Sequence, residues 1–196
     1  MGKAEKTRQF IIEKAAPIFN KKGVAGTSIS DILKVTRLAK GGVYGNFSSK
    51  EEIVMEVFDY IAEEEKLNLR QVTATANTSA GKFEALFEYY TRFPAEQKIA
   101  GGCPMLNFGV EADDTNPGLK KKVSELVLYY QSRIAKMVQY GKEHGEFKKD
   151  WDERKFAIRM FTMLEGAILV SSVLGHNKQM LVVLEALREE IRHHSL

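Results

Sequence analysis

Apolar residues recur at helical spacing along almost the whole of this chain, and that periodicity limits its fold more than any other feature. Phe10, Ile11, Ala15, Ile18 and Phe19 share one stripe, and Ile53, Val54, Val57, Phe58 and Ile61 share another. The spacing returns at Phe83, Leu86, Phe87, Tyr90 and Phe93, at Leu119, Val123, Leu126, Val127, Tyr130, Ile134 and Met137, and at Leu181, Leu184, Leu187 and Ile191. No convincing strand alternation, internal repeat or low-complexity tract interrupts the series. An all-α fold is the expectation.

Capping chemistry divides the series into elements. Gly23 supplies a stop for the first helix, and Pro17 within it predicts a local bend. Ser28 and Asp31 have the spacing of a capping box, which opens a short helix with Ile29, Ile32 and Leu33 inward, ending near Thr36. Arg37 and Leu38 form a tight connection to a second short helix around 39–46. Ser48-Ser49-Lys50-Glu51-Glu52 offers another Ser-x-x-Glu start, for a long helix. The Thr, Ala, Asn and Ser-rich stretch 72–82 reads as a connection and as the clearest internal break. Pro104 begins a short helix to about Asp113, Asn116-Pro117 begins a long one, and Gly145 ends it. Residues 156–174 are apolar on most of their circumference and predict a helix buried on more than one side.

The 196 residues have room for a small module fused to a larger one, with boundaries expected at 1–48 and 49–196. Residues 1–50 hold ten Lys/Arg against three Asp/Glu, net +7, so the remainder carries −4 within a total of +3. Such a segment attracts polyanions. Cys103 is the only cysteine, which excludes an intrachain disulfide and leaves too few thiols for a cysteine-rich zinc site. Of the four histidines, none falls in a metal-binding pattern; His193 and His194 lie where a helix end is expected to fray. No metal and no cofactor are expected. No apolar run is read as long enough to span a bilayer, and the N-terminus lacks the apolar core of a secretion signal, so a cytoplasmic location is expected.

Two short helices joined by a tight turn, inside a basic segment, are what helix-turn-helix DNA recognition requires. Lys40-Gly41-Gly42-Val43-Tyr44-Gly45-Asn46 presents small and polar residues for close approach to a groove, while Val43 and Phe47 anchor it. From Thr7 to Phe58 the sequence resembles the TetR family of regulators. The shared elements are Gly23, Thr27-Ser28-Ile29, Asp31-Ile32, the Lys-Gly-x-x-Tyr core at 40–44 and the Phe47-x-Ser-Lys-Glu-Glu that follows. Leu164-Glu165-Gly166-Ala167 is similar to the family's penultimate helix. The resemblance implies phosphate contacts from Thr27, Ser28 and Lys50, approach of Lys40, Gly41, Gly42 and Asn46 to base edges or flanking phosphates, and packing of Tyr44 on the DNA backbone. Arg37 stands where the family usually has a turn glycine, and Gly45-Asn46 where it has a bulkier pair. These departures imply a different operator sequence, with Arg37 as an added contact.

The resemblance further implies a C-terminal ligand-binding and dimerisation domain, a palindromic operator and a small-molecule inducer. Its pocket would be lined from among Phe87, Tyr90, Cys103, Phe108, Tyr130 and Met163, although aromatic and Met residues at helical spacing are core residues by default. Two-fold operators need a two-fold protein, so the helices near 152–175 and 178–193 are expected to form a four-helix interface, with Leu184 a test of it if it faces the partner. Cys103, before a helix-opening proline, is either a reactive thiol or a small buried hydrophobe. Two other readings compete: an all-α enzyme with Cys103 as nucleophile, for which no motif places a histidine, and a helical interaction protein without DNA binding. Both leave the basic N-terminal motif unexplained.

Overall fold

The computed structural model describes residues 2–93 and 97–196, and among these it forms nine α-helices. They are α1 (Lys3–Lys22), α2 (Ile29–Thr36), α3 (Lys40–Tyr44), α4 (Lys50–Ala74), α5 (Ser79–Thr91), α6 (Pro104–Ala112), α7 (Pro117–Glu143), α8 (Glu153–Leu174) and α9 (Lys178–His194). They make two compact units, one of residues 1–65 with 98–123, the other of 66–97 with 124–196. Division by packing therefore falls inside α4 and α7, because a continuous helix can serve two cores in succession.

In the first unit, α1 packs on α2 and α6. It buries Ile11, Ile12, Ala15, Ala16 and Phe19, a stripe turned slightly from the expected one, so Phe10 stays exposed. Pro17 does not end α1, which runs on to Lys22. Gly23 caps it as expected, with φ +74° and its N–H donating to the Phe19 carbonyl at 2.9 Å. From α4, Ile53, Val54, Val57, Phe58 and Ile61 face this core, where Phe58 meets Phe108 of α6 edge to face at 5.4 Å. Pro104 opens α6 at its first turn, and Asn116 caps α7 by accepting from the Leu119 amide at 3.0 Å.

In the second unit, α9 packs against α5 and α8 around Phe83, whose ring lies 5.7 Å from Phe156 and 6.4 Å from Phe147. Trp151 fills the remaining side, 4.6 Å from Phe156 and 5.1 Å from Phe147. Three expectations change here. The connection predicted over 72–82 shrinks to 75–78, since α4 continues to Ala74 and α5 begins at Ser79. The amides that start α5 are satisfied by the distant Glu146 carboxylate, which accepts from Ser79 at 2.9 Å and Ala80 at 3.0 Å. The C-terminus is tied down, because Phe147 bridges Ser195, the His194 carbonyl accepts from Lys148 N–H at 2.8 Å, and the His194 ring packs on Trp151.

The third change concerns α8. It buries Phe156, Ala157, Met160, Leu164, Ala167 and Ile168 on one side only. Ile158, Leu169, Val170, Val173 and Leu174 are exposed on the other side, and Leu181 and Val182 of α9 are exposed as well. By length and composition α8 is the one helix among the described residues apolar enough to cross a membrane, which overturns the expectation that no such run exists. Its two apolar sides face different surroundings: a core on one, solvent in this single chain on the other.

Candidate nucleic-acid interface

Helix α2 starts as its sequence dictates. The Ser28 Oγ accepts from the Asp31 amide at 3.1 Å, and the Asp31 carboxylate accepts from the Ser28 amide at 2.9 Å. Lys22 at 2.8 Å, with Ser28, holds the Asp31 carboxyl well below the usual carboxylate range. The helix ends in a three-residue turn, 37–39, before α3. Thr36 organises that turn: buried, it donates its hydroxyl to the Ile32 carbonyl at 2.7 Å and accepts from the Leu38 amide at 3.4 Å. Arg37 is the only non-glycine among the described residues with positive φ, at 56°, the position for which the family resemblance predicts glycine. Arg37→Gly should therefore stabilise the first unit by roughly 0.5–1 kcal/mol in thermal melts while removing a cation from the turn. A melting temperature at or below the parent's would show that the Arg37 side chain compensates for its backbone.

Around this scaffold Val43 and Phe47 are buried, as expected, and Ser28, Arg37, Lys40, Gly41 and Tyr44 face solvent. Tyr44 is 43% exposed although an aromatic of this size is normally placed in a core, and the Lys40 ammonium sits 5.7 Å from its ring centre. Gly42 is half-buried over Leu38. Three expected contacts are modified. Thr27 is 1% exposed and spends its hydroxyl on the Gly23 carbonyl at 2.7 Å, so its side chain points inward. Asn46 donates to the Gly42 carbonyl at 2.8 Å, closing the end of α3. Lys50 donates to the Val24 carbonyl, joining the start of α4 to the α1–α2 loop.

Sequence reasoning missed the clamp that sets α3 against α1 and α4. Arg8 donates to the Glu52 and Glu56 carboxylates and to the Asn46 carbonyl, and its guanidinium lies 4.1 Å from the centre of the Phe47 ring. Arg8 and the Ser48 hydroxyl and amide hold the Glu52 carboxyl down at about 2, and the same carboxylates push Arg8 above its usual value. Glu52 and Glu56 one turn apart were the available signal. The clamp also alters the charge balance, since residues 51–65 add seven carboxylates and no cation, bringing 1–65 to ten of each sign. Positive charge is a property of the α2–α3 face and its turn, not of the unit.

The six residues expected near a ligand divide between the units. Cys103 and Phe108 belong to the first, both buried, with Cys103 4% exposed at the cap position of α6. Phe87, Tyr90, Tyr130 and Met163 belong to the second. Phe87 is buried beside Phe83 under the Arg188 guanidinium, Tyr90 and Tyr130 meet neighbouring rings edge on, and Met163 is half-buried on α8.

A capped helix, a three-residue turn and a second short helix with small, basic and aromatic residues outward define a helix-turn-helix protein of the DNA-reading class. Comparison places it more narrowly. A family model described as bacterial regulatory proteins, tetR family, matches residues 11–57, and another described as tetracyclin repressor-like, C-terminal domain, matches residues 80–187. A TetR-family transcriptional regulator from Cytophaga hutchinsonii is 36% identical with a TM-score of 0.92, the match covering 100% of this chain and 98% of that one. A second, from Chloroflexus aurantiacus, is 31% identical with a TM-score of 0.93 over the same shares. The HTH-type transcriptional repressor DhaR of a Mycobacterium species is 24% identical over 83% of this chain and 80% of its own length. The chain belongs to the TetR family of transcriptional regulators. That membership sets aside both the enzyme and the interaction-protein readings.

Proposed function

We propose that this regulator is a cytoplasmic repressor that grips a palindromic duplex operator as a homodimer and leaves it when a small molecule engages its C-terminal helices. Residues 1–48 form the reading module and 49–196 the ligand-binding and dimerisation module. The observation that carries the reading is the outward cluster of Arg37, Lys40, Gly41 and Tyr44 on the turn and α3. Gly41 allows close backbone approach, the cations attract phosphate, and an exposed tyrosine beside a lysine suits a sugar-phosphate wall. Ser28 presents the start of α2 to a second phosphate. Repression is carried over from DhaR, itself a transcriptional repressor. The exposed apolar side of α8 and α9 supports a four-helix dimer.

Release requires that the ligand bind the DNA-incompetent arrangement better, by about 1–3 kcal/mol for a typical coupling. The aromatic complement of α5 and α7 favours an apolar or aromatic compound. Burial of Cys103 keeps its thiol from solvent, which favours a reversible ligand over a reactive electrophile.

The test is selection of duplexes from a randomised pool, followed by titration at several salt concentrations. The parent protein should enrich a two-fold sequence and lose affinity steeply with salt. Lys40→Ala should lower the salt slope by about one with little change in sequence preference. Absence of enrichment, or binding indifferent to salt, would overturn the proposal.

A further inference from the structure

The α1–α2 turn carries two backbone amides, of Val24 and Ala25, that no helix satisfies. Both donate to one side chain, Glu111 of α6, with Val24 N–H to Oε1 at 2.8 Å and Ala25 N–H to Oε2 at 2.6 Å. One turn earlier on α6, Asn107 donates to the Asn20 carbonyl at 2.7 Å, to the Asn20 Oδ1 at 3.1 Å and to the Gly101 carbonyl at 2.7 Å. Asn20, 2% exposed, returns a hydrogen bond to the Gly102 carbonyl at 3.1 Å. All of these groups lie in the first compact unit.

Two glycines show how closely the parts fit. A Cβ on Gly23 would stand 1.7 Å from the Glu111 Oε1, and one on Gly101 would stand 2.7 Å from the Asn20 carbonyl. Both have positive φ. A side chain at Gly23 would displace the Glu111 carboxylate, and one at Gly101 would press on the Asn20 backbone, so the clamp depends on its surroundings at both ends.

We propose that Glu111 is a positioning residue for operator recognition: without touching DNA, its carboxylate fixes the turn that sets Thr27, Ser28 and the start of α2. The turn is otherwise anchored by Thr27 to Gly23 within itself and by Lys50 to Val24 from α4. Glu111 is thus the member of the anchor set that comes from α6. This inference rests on the operator-binding reading above.

Electrostatics and positioning predict opposite results for Glu111→Ala. Removing a carboxylate from a DNA-binding unit lowers repulsion, so charge alone would tighten binding to every duplex. Loss of positioning instead weakens only the selected sequence. The experiment uses the full-length chain, the duplex it selects from a randomised pool, and a scrambled duplex of equal length. Glu111→Ala should weaken binding to the selected duplex about ten-fold and leave the scrambled duplex bound as well as or better than by the parent. Glu111→Gln, which keeps one acceptor oxygen, should recover part of the loss; it also carries the test if the alanine variant does not fold. Amide exchange at Val24 and Ala25 should speed up in Glu111→Ala relative to that of α1. Unchanged or tighter binding to the selected duplex would overturn the proposal, as would equal weakening on both duplexes. If the parent itself selects no duplex, the operator-binding reading fails first and the inference falls with it.

Discussion

Leu184→Asp is expected to unfold the C-terminal unit. Leu184 has 0% exposure within a single chain, on the side of α9 that meets α5 and α8. Truncating such a leucine costs about 2–5 kcal/mol, and an unpaired buried carboxylate adds desolvation, so a loss above about 4 kcal/mol is expected from a total of roughly 5–15. The dimer expectation for this position is thereby corrected: Leu184 faces its own core. The apolar positions of α9 left open to the proposed partner are Val182, 70% exposed, and Leu181, 45% exposed. Val182→Asp should keep the parent's helical circular dichroism and sediment at 22.1 kDa, whereas the parent should sediment at about twice that. A cooperatively folded Leu184→Asp protein would contradict the packing. A dimeric Val182→Asp protein would contradict the interface.

Gly23→Ala should destabilise the first unit strongly. Its backbone, φ +74° and ψ 178°, lies in a region reserved almost entirely for glycine, at a cost of about 1–3 kcal/mol for any other residue. The new methyl would also occupy the position of the Glu111 Oε1 and drive the carboxylate from two amides. Together these should destabilise the unit by about 3 kcal/mol in denaturant titrations. A double-mutant cycle separates the two causes: in a Glu111→Ala background, the steric part vanishes and the backbone part remains. Additive effects would mean that the methyl and the carboxylate never compete.

How much of this was legible depends on the range of the interaction. Ser28 with Asp31, Gly23, Pro104, Asn116 and the Lys-Gly-x-x-Tyr core were readable because each acts on backbone within one helical turn. The amphipathic stripes of α4 and α7, and that of α9 from Leu184 onward, were readable for the same reason, since a helix repeats its face every few residues; Leu181 is exposed and Met180 takes its place. The stretch 72–82 misled because its small polar residues give no stripe, yet the Thr73 hydroxyl bonds back to the Leu69 carbonyl and Glu146 caps α5 from 67 residues away.

The sequence by itself determined the all-α class, the helix-turn-helix and the family, since these follow from local caps, spacing and motif. Only tertiary structure decided which of two apolar sides of α8 is core, that Thr27 turns inward, and that Arg8 neutralises itself against Glu52 and Glu56. It also decided that Glu111 closes a turn 86 residues away from it. The physical reason is the same in each case. A local pattern records what a residue prefers, whereas a carboxylate, a hydroxyl or a second apolar face acquires its role only when folding brings up the group that it satisfies.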